Sequence, residues 1–320
     1  AIFYGESLIR VFGLGMSILV LMGFLSWFFT KDNKQELSLS DGFVITVLFW
    51  IVLSVSGSIP FILFGFGVID SFFESMSGIT TTGATVIAGL DDLPKSLLIY
   101  RQLLQWLGGM GLIVLAIAVM PLLGIGGGQL FKTQTPGPMS EQRLTPRITS
   151  TARALWSIYF VLTVLCIFAY RLAGMSYFDA VSHAFSTVSI GGFSTHDLSI
   201  GFFDSLSIEI VCITFMLLSA MSFAVHYSAI YRKQVLKYFY DPELRFFVSL
   251  LIVILGLVCL SLFANDINDP IRSGLFQTVS ILTTTGFLTD EYSSWPAYIS
   301  FMLLVGAFIG ACSGSVGGGI

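Results

Sequence analysis

The sequence has little charge: Asp, Glu, Lys and Arg make up only 11% of its 320 residues. Water-soluble domains carry about 25% charged residues, because their surfaces must stay hydrated. The shortage excludes an ordinary soluble domain, and the 55% hydrophobic content indicates a polytopic protein that crosses a lipid bilayer. The formal net charge of −4 leaves no basic surface for a nucleic acid, so no nucleic-acid partner is expected.

Residues for metal chemistry and catalysis are also scarce. The four cysteines, Cys166, Cys212, Cys259 and Cys312, are scattered singly and have neither disulfide nor metal-site spacing. We expect them to be small core residues, and we expect no cofactor in the chain. An intramembrane enzyme would need paired acids or a nucleophile at mid-membrane depth. No such set is found, so the chain is not expected to be an enzyme.

What the sequence has instead is long apolar runs. Runs of about 20 apolar residues can cross a bilayer as helices. Seven spans are predicted, at 8–29, 43–66, 97–123, 154–172, 206–231, 246–264 and 296–309. Three further segments, 70–78, 179–187 and 273–282, are too short to cross and are predicted to be re-entrant half-helices. The expected fold class is an all-α polytopic membrane protein.

Each predicted half-helix leads into a stretch of small and hydroxylic residues, so this stretch occurs three times. The copies are SGITTTGAT at 77–85, STVSIGGFS at 186–194 and SILTTTGFL at 280–288. Aligning their glycines also aligns three helix N-cap types thirteen residues earlier, at Asp70, Asp179 and Ser273. Copies this far apart, each between apolar spans, indicate a repeated helix–pore-loop–helix unit.

The distribution of positive charge supports this topology. The connections near 30–42, 124–153 and 232–245 hold ten of the fifteen Lys and Arg, while those that carry the three copies hold two. By the positive-inside rule the first set is cytoplasmic and the second set faces out. The remaining three lie near predicted outer helix ends, where their side chains are expected to reach the membrane surface: Arg10, Arg101 and Arg171.

The repeated motif has the composition of a cation site made from the main chain. Non-helical backbone at membrane depth must be buried in protein or line a watery cavity. Carbonyl oxygens can replace the water shell of an ion, and glycine allows the positive φ that turns successive carbonyls the same way. A half-helix points its partly negative C-terminal end at such a site. Carbonyl ligands without an acidic ring suit a large monovalent cation such as potassium, although a single such motif would more often be a glycine-capped helix end.

The predicted ion ligands are the residues around the three aligned glycines. They are Thr80, Thr81, Thr82 and Gly83 in the first copy, Ser189, Ile190, Gly191 and Gly192 in the second, and Thr283, Thr284, Thr285 and Gly286 in the third. The second copy has Ile-Gly where the others have Thr-Thr. Hydroxyl ligation therefore cannot be the same in every copy, and only carbonyl ligation can.

These motifs, together with GGMG at 108–111 and the glycine-rich run at 310–319, resemble the selectivity filters and inner segments of the Trk/Ktr/HKT potassium transporter superfamily. The extra N-terminal helix makes the chain most similar to the bacterial TrkH branch of potassium uptake subunits. The resemblance covers essentially the whole chain. It implies potassium as substrate. In the superfamily, glycine at the first-filter position is associated with a preference for potassium, and serine there is associated with sodium transport in some plant members.

The resemblance also implies an architecture of four repeats around one pore in pseudo-fourfold arrangement. Three are expected here, at 41–150, 151–240 and 241–320, after an extra transmembrane helix and cytoplasmic linker at 1–40. Both ends of the chain are expected to be missing, and a fourth filter is expected beyond Ile320. The implied assembly is a homodimer in the bacterial inner membrane, with a cytoplasmic, TrkA-like regulatory subunit that has nucleotide-binding domains.

The glycine-rich run resembles the intramembrane loop that the superfamily places below the filter. Its glycines and serines cannot form a stable helix, so they are predicted to form a gate across the cytoplasmic side of the pore. The gate residues are Gly310, Ser313, Gly314, Ser315, Gly317, Gly318 and Gly319. The alternative is a stretch of close helix packing between small residues.

Two mechanisms remain open for ion movement. In the first, a channel-like pore lets potassium move down its electrochemical gradient. In the second, potassium transport is coupled to sodium or protons, which the filter motif alone does not exclude.

Overall fold

The computed structural model of the chain describes residues 8–31, 39–111, 148–290, 292 and 295–319. Within these residues the regular secondary structure is helical, and no β-strand is found. The helices are α1 (Ile9–Thr30), α2 (Leu39–Phe64), α3 (Val68–Ile79), α4 (Lys95–Gly109), α5 (Ile148–Leu172), α6 (Tyr177–Val188), α7 (Leu206–Ala220), α8 (Phe223–Tyr231), α9 (Lys237–Tyr240), α10 (Pro242–Ala264), α11 (Pro270–Leu282) and α12 (Ala297–Ile309). Two 3₁₀ turns, Leu90–Asp92 and Ser199–Phe203, lie in the connections.

Four of the described helices are long and apolar enough to cross a membrane: α1, α2, α5 and α10. They agree with the predicted spans at 8–29, 43–66, 154–172 and 246–264. The predicted span at 97–123 begins as α4, and its second half lies outside the described residues. The last predicted span is α12, which is apolar but has only 13 residues. The chain is therefore a multi-pass membrane protein, as expected.

The predicted span at 206–231 is interrupted. It consists of α7 and α8, which together are long and apolar enough for one span but meet at an angle of 92°. The backbone leaves the helix at Met221, whose ψ is 150°, and neither proline nor glycine marks the break in the sequence. The break is instead held from outside, because the main chain of the glycine-rich run bonds to both sides of it.

The three short helices α3, α6 and α11 have the place and length predicted for half-helices. Each packs between the helix before it and a helix after it, in the sets α2–α3–α4, α5–α6–α7 and α10–α11–α12. Neighbouring sets also touch, since α4 packs on α6 and α7 packs on α11. Each half-helix therefore lies between neighbouring helices, and α6 and α11 also contact the helix set before their own.

The predicted N-caps of these half-helices are wrong by about one turn. The helices begin directly after Gly67, Ser176 and Asp269, so Asp70, Asp179 and Ser273 lie inside the first turn. In α6 the hydroxyl of Ser176 accepts the amide hydrogen of Asp179 (3.1 Å) and donates to its carboxylate (2.7 Å). An acid in the first turn is favourable because the amides there are partly positive, which explains why the aligned acids looked like caps.

Buried apolar side chains form two clusters that follow this layout. The smaller cluster lies among α2, α3 and α4 and includes Phe61 and Leu97. The larger cluster joins the other two helix sets and includes Tyr159 and Phe276. The helix α1 packs on α2 and contacts α4 through Phe12 and Tyr100, and most of its surface is exposed, as expected where lipid is the solvent.

Close packing of α4 against the end of α3 depends on Gly108. A Cβ at this position would overlap the main-chain carbonyl group of Ile79, which is the last residue of the first half-helix. The backbones therefore approach as closely as only glycine permits. This contact fixes where the first half-helix ends relative to the helix that follows it.

We expect Gly108→Ala to destabilise the protein by about 1–3 kcal/mol, the range of overpacked cores. Gly23→Ala in α1 is the matched control, because no described atom lies within 4 Å of a Cβ there. The control should be neutral or slightly stabilising, since alanine favours helix over glycine. Thermal unfolding midpoints in detergent measure the difference, and equal midpoints for the two variants would contradict the packing argument.

Candidate functional site

The three glycine loops that follow the half-helices have the same backbone conformation. Their aligned glycines have φ of 78°, 77° and 83° at Gly83, Gly192 and Gly286. Two residues earlier, Thr81, Ile190 and Thr284 have φ of 55°, 55° and 63°. Positive φ is an outlier for a β-branched residue, and such strain concentrates at functional sites. Its occurrence at the same place in each loop means that all three loops are held in one defined shape.

The left-handed residue two positions before each glycine caps the half-helix. In the first loop Thr82 N–H donates to Ser77 C=O (2.9 Å) and Thr81 N–H donates to Gly78 C=O (3.0 Å). The same two bonds are made at the ends of α6 and α11. This is the Schellman pattern, in which the left-handed position is usually glycine. The left-handed position of the cap is therefore occupied by threonine or isoleucine. The glycines two residues later are not needed for the cap.

The three loops lie side by side. A Cβ at Gly83 would overlap the carbonyl oxygen of Gly191, and a Cβ at Gly192 would overlap that of Thr285. Each contact joins a glycine to the residue just before the next loop's glycine, so the same step relates the first loop to the second and the second to the third. At Gly286 no described atom lies within 4 Å of a Cβ, so this side of the third loop is open among the described residues.

Hydroxyl groups in the loops are largely used within each loop. Thr80 and Thr82 share a hydrogen bond (2.8 Å), as do Thr283 and Thr285 (2.7 Å). In the second loop Gly191 replaces the second threonine of this pair, and Ser189 bonds to Ser186 C=O (3.2 Å). The side chains thus differ between loops, while the main-chain shape is the same. What the loops can offer in common to a cation is carbonyl oxygen.

The glycine-rich run lies directly against the inner ends of the second and third loops. Gly318 N–H donates to Thr284 Oγ1 (3.0 Å). A Cβ at Gly317 would lie 3.2 Å from Thr283 O and 3.4 Å from Ile190 Cδ1. The predicted gate residues and the predicted filter residues are therefore in contact.

The other end of this run fills the break between α7 and α8. Cys312 N–H donates to Ala220 C=O and Phe223 N–H donates to Gly314 C=O, both at 3.0 Å. Ser313 N–H bonds to the carboxylate of Glu243 at the start of α10. The run and the helix break thus satisfy each other's main-chain groups, which explains a break that has no sequence signal.

A cavity of about 700 Å³ lies between the run and the first loop. Thr80 and Thr81 line one part of it, and residues 309–319 line another. Glu243 is the one acidic side chain among the described residues that line the cavity. A cavity whose lining includes threonine hydroxyls and a carboxylate can keep a cation hydrated next to the loops.

Buried polar residues lie behind the loops, and one of them was misjudged from the sequence. Arg101 was expected to reach the membrane surface, but its side chain is 0% exposed and pairs with Glu74. Glu74, His183 and Gln277 each lie nine residues before an aligned glycine, and each bonds to the segment after its own loop. The partners are Thr85 for Glu74, Ser194 for His183 and Asp290 for Gln277. The alignment of a polar residue at this position in all three copies is visible in the sequence.

The outer connections of the first two loops are joined by a charged cluster. His196 contacts the carboxylates of Asp91 and Asp179, and Asp197 accepts the amide hydrogens of Gly89 (3.0 Å) and Leu90 (2.9 Å). Burial acts to lower the pKa of His196, but the two carboxylates outweigh it and raise that pKa above its ordinary value. The cluster is therefore fully stabilising below the ordinary pKa of histidine, and it weakens as the pH rises through the raised pKa.

The described cysteines are free thiols, and three of them are buried, as expected for small core residues. Across the parts of the chain that the structure covers, no three His, Cys, Asp or Glu side chains are placed to hold a metal ion.

A bundle with three re-entrant half-helices whose bare loops meet side by side defines a class of membrane proteins that move ions. The comparisons with known proteins agree. The family model described as "TrkH: Cation transport protein" matches residues 9–320, and the chain belongs to this family. The resemblance inferred from the motifs is thereby confirmed, and the family is one of transporters rather than enzymes.

Relatives and a solved structure are similar over almost the whole chain. The chain is 48% identical over 326 residues to the Trk system potassium uptake protein TrkH of Halomonas elongata, covering 100% of this chain and 68% of that protein. It is 50% identical over 313 residues to TrkH of Vibrio parahaemolyticus, covering 95% and 64%. The crystal structure of the potassium transporter TrkH from Vibrio parahaemolyticus matches with a TM-score of 0.87 at 46% identity, covering 100% and 67%. The chain thus spans about two thirds of the length of these proteins.

We expect Gly192→Ala to lower cation flux by about tenfold or more, since a left-handed alanine alone costs about 1–2 kcal/mol and its methyl group would also displace the Thr285 carbonyl. Gly174→Ala is the matched control. Gly174 also has positive φ (111°), but no described atom lies within 4 Å of its Cβ position. Flux per folded protein in lipid vesicles is the measurement. Equal flux in the two variants would mean that the contact between the loops does not matter.

Proposed function

We propose that the protein moves potassium ions into the cell through a pore whose filter is formed by the main-chain carbonyls of the three glycine loops. The observation that carries the proposal is the convergence of three loops with nearly equal backbone φ angles, in which the first touches the second and the second touches the third at a glycine. The relatives' names, which specify potassium uptake, support potassium as the substrate. The filter residues are 80–83, 189–192 and 283–286.

The physical argument for a cation rests on the main chain. Each half-helix ends at a loop, and its last carbonyls give that end a partial negative charge of roughly half an elementary charge. Carbonyl oxygens can replace the hydration shell of a large monovalent cation, while their strain-held backbone resists collapse around a smaller one. The membrane potential supplies about 2.3 kcal/mol per charge for each 100 mV, which is enough to drive uptake without chemistry in this chain.

The pore is proposed to have four sides in pseudo-fourfold arrangement. The units 41–150, 151–240 and 241–320 form three of them, and 1–40 adds an outer helix and linker. The open side of Gly286 supports a fourth filter there, because the corresponding side of Gly83 and of Gly192 is covered by a neighbouring loop.

The proposed assembly is a homodimer in the bacterial inner membrane that binds a TrkA-like nucleotide-binding subunit on its cytoplasmic face. The TrkH relatives are described as parts of a Trk system, which supports a regulatory partner. The basic inner connections, such as 232–245, are the proposed contact surface. A positive-inside topology alone would explain this charge equally well.

In lipid vesicles the complete protein should carry a current that reverses at the potassium equilibrium potential. A channel-like pore requires this, because ions then move only down their own gradient. A reversal potential that shifts with the sodium or proton gradient would instead support the alternative, a sodium- or proton-coupled symporter. Vesicles without protein give the background, and the absence of any potassium flux would overturn the proposed function.

The variant Gly83→Ser tests the filter within the same experiment. A side chain at residue 83 would overlap the Gly191 carbonyl, so the first two loops must change their spacing. We expect the potassium-to-sodium flux ratio to fall. The control is Gly89→Ser, which has a similar φ (73°) in an outer turn with no described atom within 4 Å of a Cβ.

The glycine-rich run is proposed to be the gate. Residues 311–314 are anchored at the helix break, while Gly317 and Gly318 lie against the inner ends of two loops. The run folds back on itself, since Ala311 N–H donates to Gly318 C=O (2.9 Å). A folded segment in contact with the filter can block ions and move aside into the neighbouring cavity. Gly310, Ser313, Gly314, Ser315, Gly317, Gly318 and Gly319 are the residues of this gate.

Deleting residues 315–317 should raise potassium flux several-fold, because less main chain then lies across the ion path. The potassium-to-sodium ratio should remain that of the unaltered protein, since the filter loops are intact. This ratio is also the control, because a misfolded, leaky protein would pass both ions alike. Unchanged flux in a folded variant would favour the alternative, in which the run only packs helices closely.

A further inference from the structure

The helix α4 buries several polar side chains where an apolar environment is expected, and two of them are Arg101 and Gln105. Arg101 and Gln105 are one helical turn apart, so they share a face of the helix, and both are 0% exposed. Burying a guanidinium is costly unless its charge is paired and its hydrogen bonds are made. The hydrogen-bond partners of these two residues therefore indicate which segments they hold in place.

Arg101 joins the first and second loops. Its Nε donates to Glu74 Oε1 on the first half-helix (2.7 Å), and its Nη2 donates to Thr85 Oγ1, just after the first loop (3.0 Å). Its Nη1 donates to the carbonyl of Ser194, just after the second loop (3.0 Å). The guanidinium also lies 4.4 Å from the centre of the Phe193 ring. A single side chain thus bonds to both loops and to the acid that neutralises it.

Gln105 holds the second loop on both sides of its glycine. Its Nε2 donates to Gly191 C=O (2.5 Å), and its Oε1 accepts the amide hydrogen of Phe193 (3.1 Å). The carbonyl of Gly191 is also the atom that a side chain at Gly83 would strike. Gln105 therefore fixes the part of the second loop that faces the first.

The second and third loops are connected by different contacts. Between the second and third loops, Gly201 N–H donates to Leu288 C=O (3.0 Å), and Ser199 Oγ accepts Leu288 N–H (3.2 Å). These groups are neutral and come from an outer connection, not from a helix behind the loops. Among the described residues, a charged side chain that bonds to both loop segments is thus found between the first and second loops and not between the second and third.

We propose that Arg101, Glu74 and Gln105 are positioning residues that set the spacing between the first two loops and thereby the preference for potassium over sodium. This inference rests on the proposed function. Charge-assisted hydrogen bonds have narrow geometry, so they hold the loops more tightly than apolar packing does. The pairing also matters for the ion, because an unpaired positive charge behind the filter would repel a cation in it.

Two mild variants test the geometry. Arg101→Lys keeps the charge but loses the fork of donors that reaches both loops. Gln105→Leu keeps a similar volume but loses both main-chain bonds. We expect each to lower the potassium-to-sodium flux ratio by about tenfold, since breaking a buried bonded group shifts a local equilibrium by at least that factor.

Variants that remove one or both charges of the Arg101–Glu74 pair distinguish repulsion of the ion from a change in loop spacing. Glu74→Gln leaves Arg101 unpaired and should lower total potassium flux. The double variant Glu74→Gln with Arg101→Gln removes both charges, so flux should recover in part while the ratio stays low. A double variant that restores the ratio as well would overturn the positioning role.

The matched control is another ion pair of the same residue types. Arg272 Nη2 lies 2.7 Å from Glu209 Oε1, between α11 and α7, and neither side chain bonds to a loop. Arg272→Lys and Glu209→Gln should change the thermal midpoint without changing the ratio. If Arg101→Lys and Gln105→Leu also lower only the midpoint, their role is structural and the inference is overturned.

The outcome for the unaltered protein distinguishes the two proposals. If the protein shows no preference for potassium, the proposed function fails, and the positioning role fails with it. If the preference is present but the folded Arg101 and Gln105 variants keep it, only the positioning role fails. Should Glu74→Gln not fold, the two mild variants still decide the question.

Discussion

Main-chain groups inside a membrane have no water to bond to, and the structure depends on how this constraint is met. Helices meet it internally, but the three glycine loops and the glycine-rich run do not. Around the second loop, Gln105 satisfies the groups on both sides of Gly192. Arg101 and Glu74 do the same for the segments beyond the first two loops. The bare main chain is therefore possible only because polar side chains are buried behind it.

The same constraint explains the broken helix. The ends of α7 and α8 leave main-chain groups unpaired at Ala220 and Phe223, and Cys312 and Gly314 pair with them. Two irregular segments thus stabilise each other, although each alone would be unfavourable in an apolar environment. Since the glycine-rich run also contacts Thr284, the break, the run and the third loop form one connected set of contacts. A displacement of one of these segments would therefore change the contacts of the other two.

The loops combine a uniform main chain with variable side chains. Their left-handed residues and glycines have nearly equal φ in each copy, whereas the residues themselves are Thr-Thr-Gly or Ile-Gly-Gly. A ligand that binds carbonyl oxygens meets the same geometry three times, and one that binds hydroxyls does not. The asymmetry lies behind the loops, where Glu74, His183 and Gln277 occupy one position with three different chemistries.

The membrane class, the three half-helices and the place of each glycine loop were determined by the sequence itself, because apolar runs, their length and a thrice-repeated motif are local properties. The pairing of Arg101 with Glu74, the reach of Gln105 to Gly191 and the break at Met221 were decided only by the tertiary structure. Each joins residues that are distant in the chain, and the partner that makes a buried charge or a broken helix acceptable is not marked by any neighbour in sequence. The N-cap positions were predicted only to within about one turn. An acid in the first turn and an acid at the cap are both common near a helix start, and only the structure shows at which residue the helix begins.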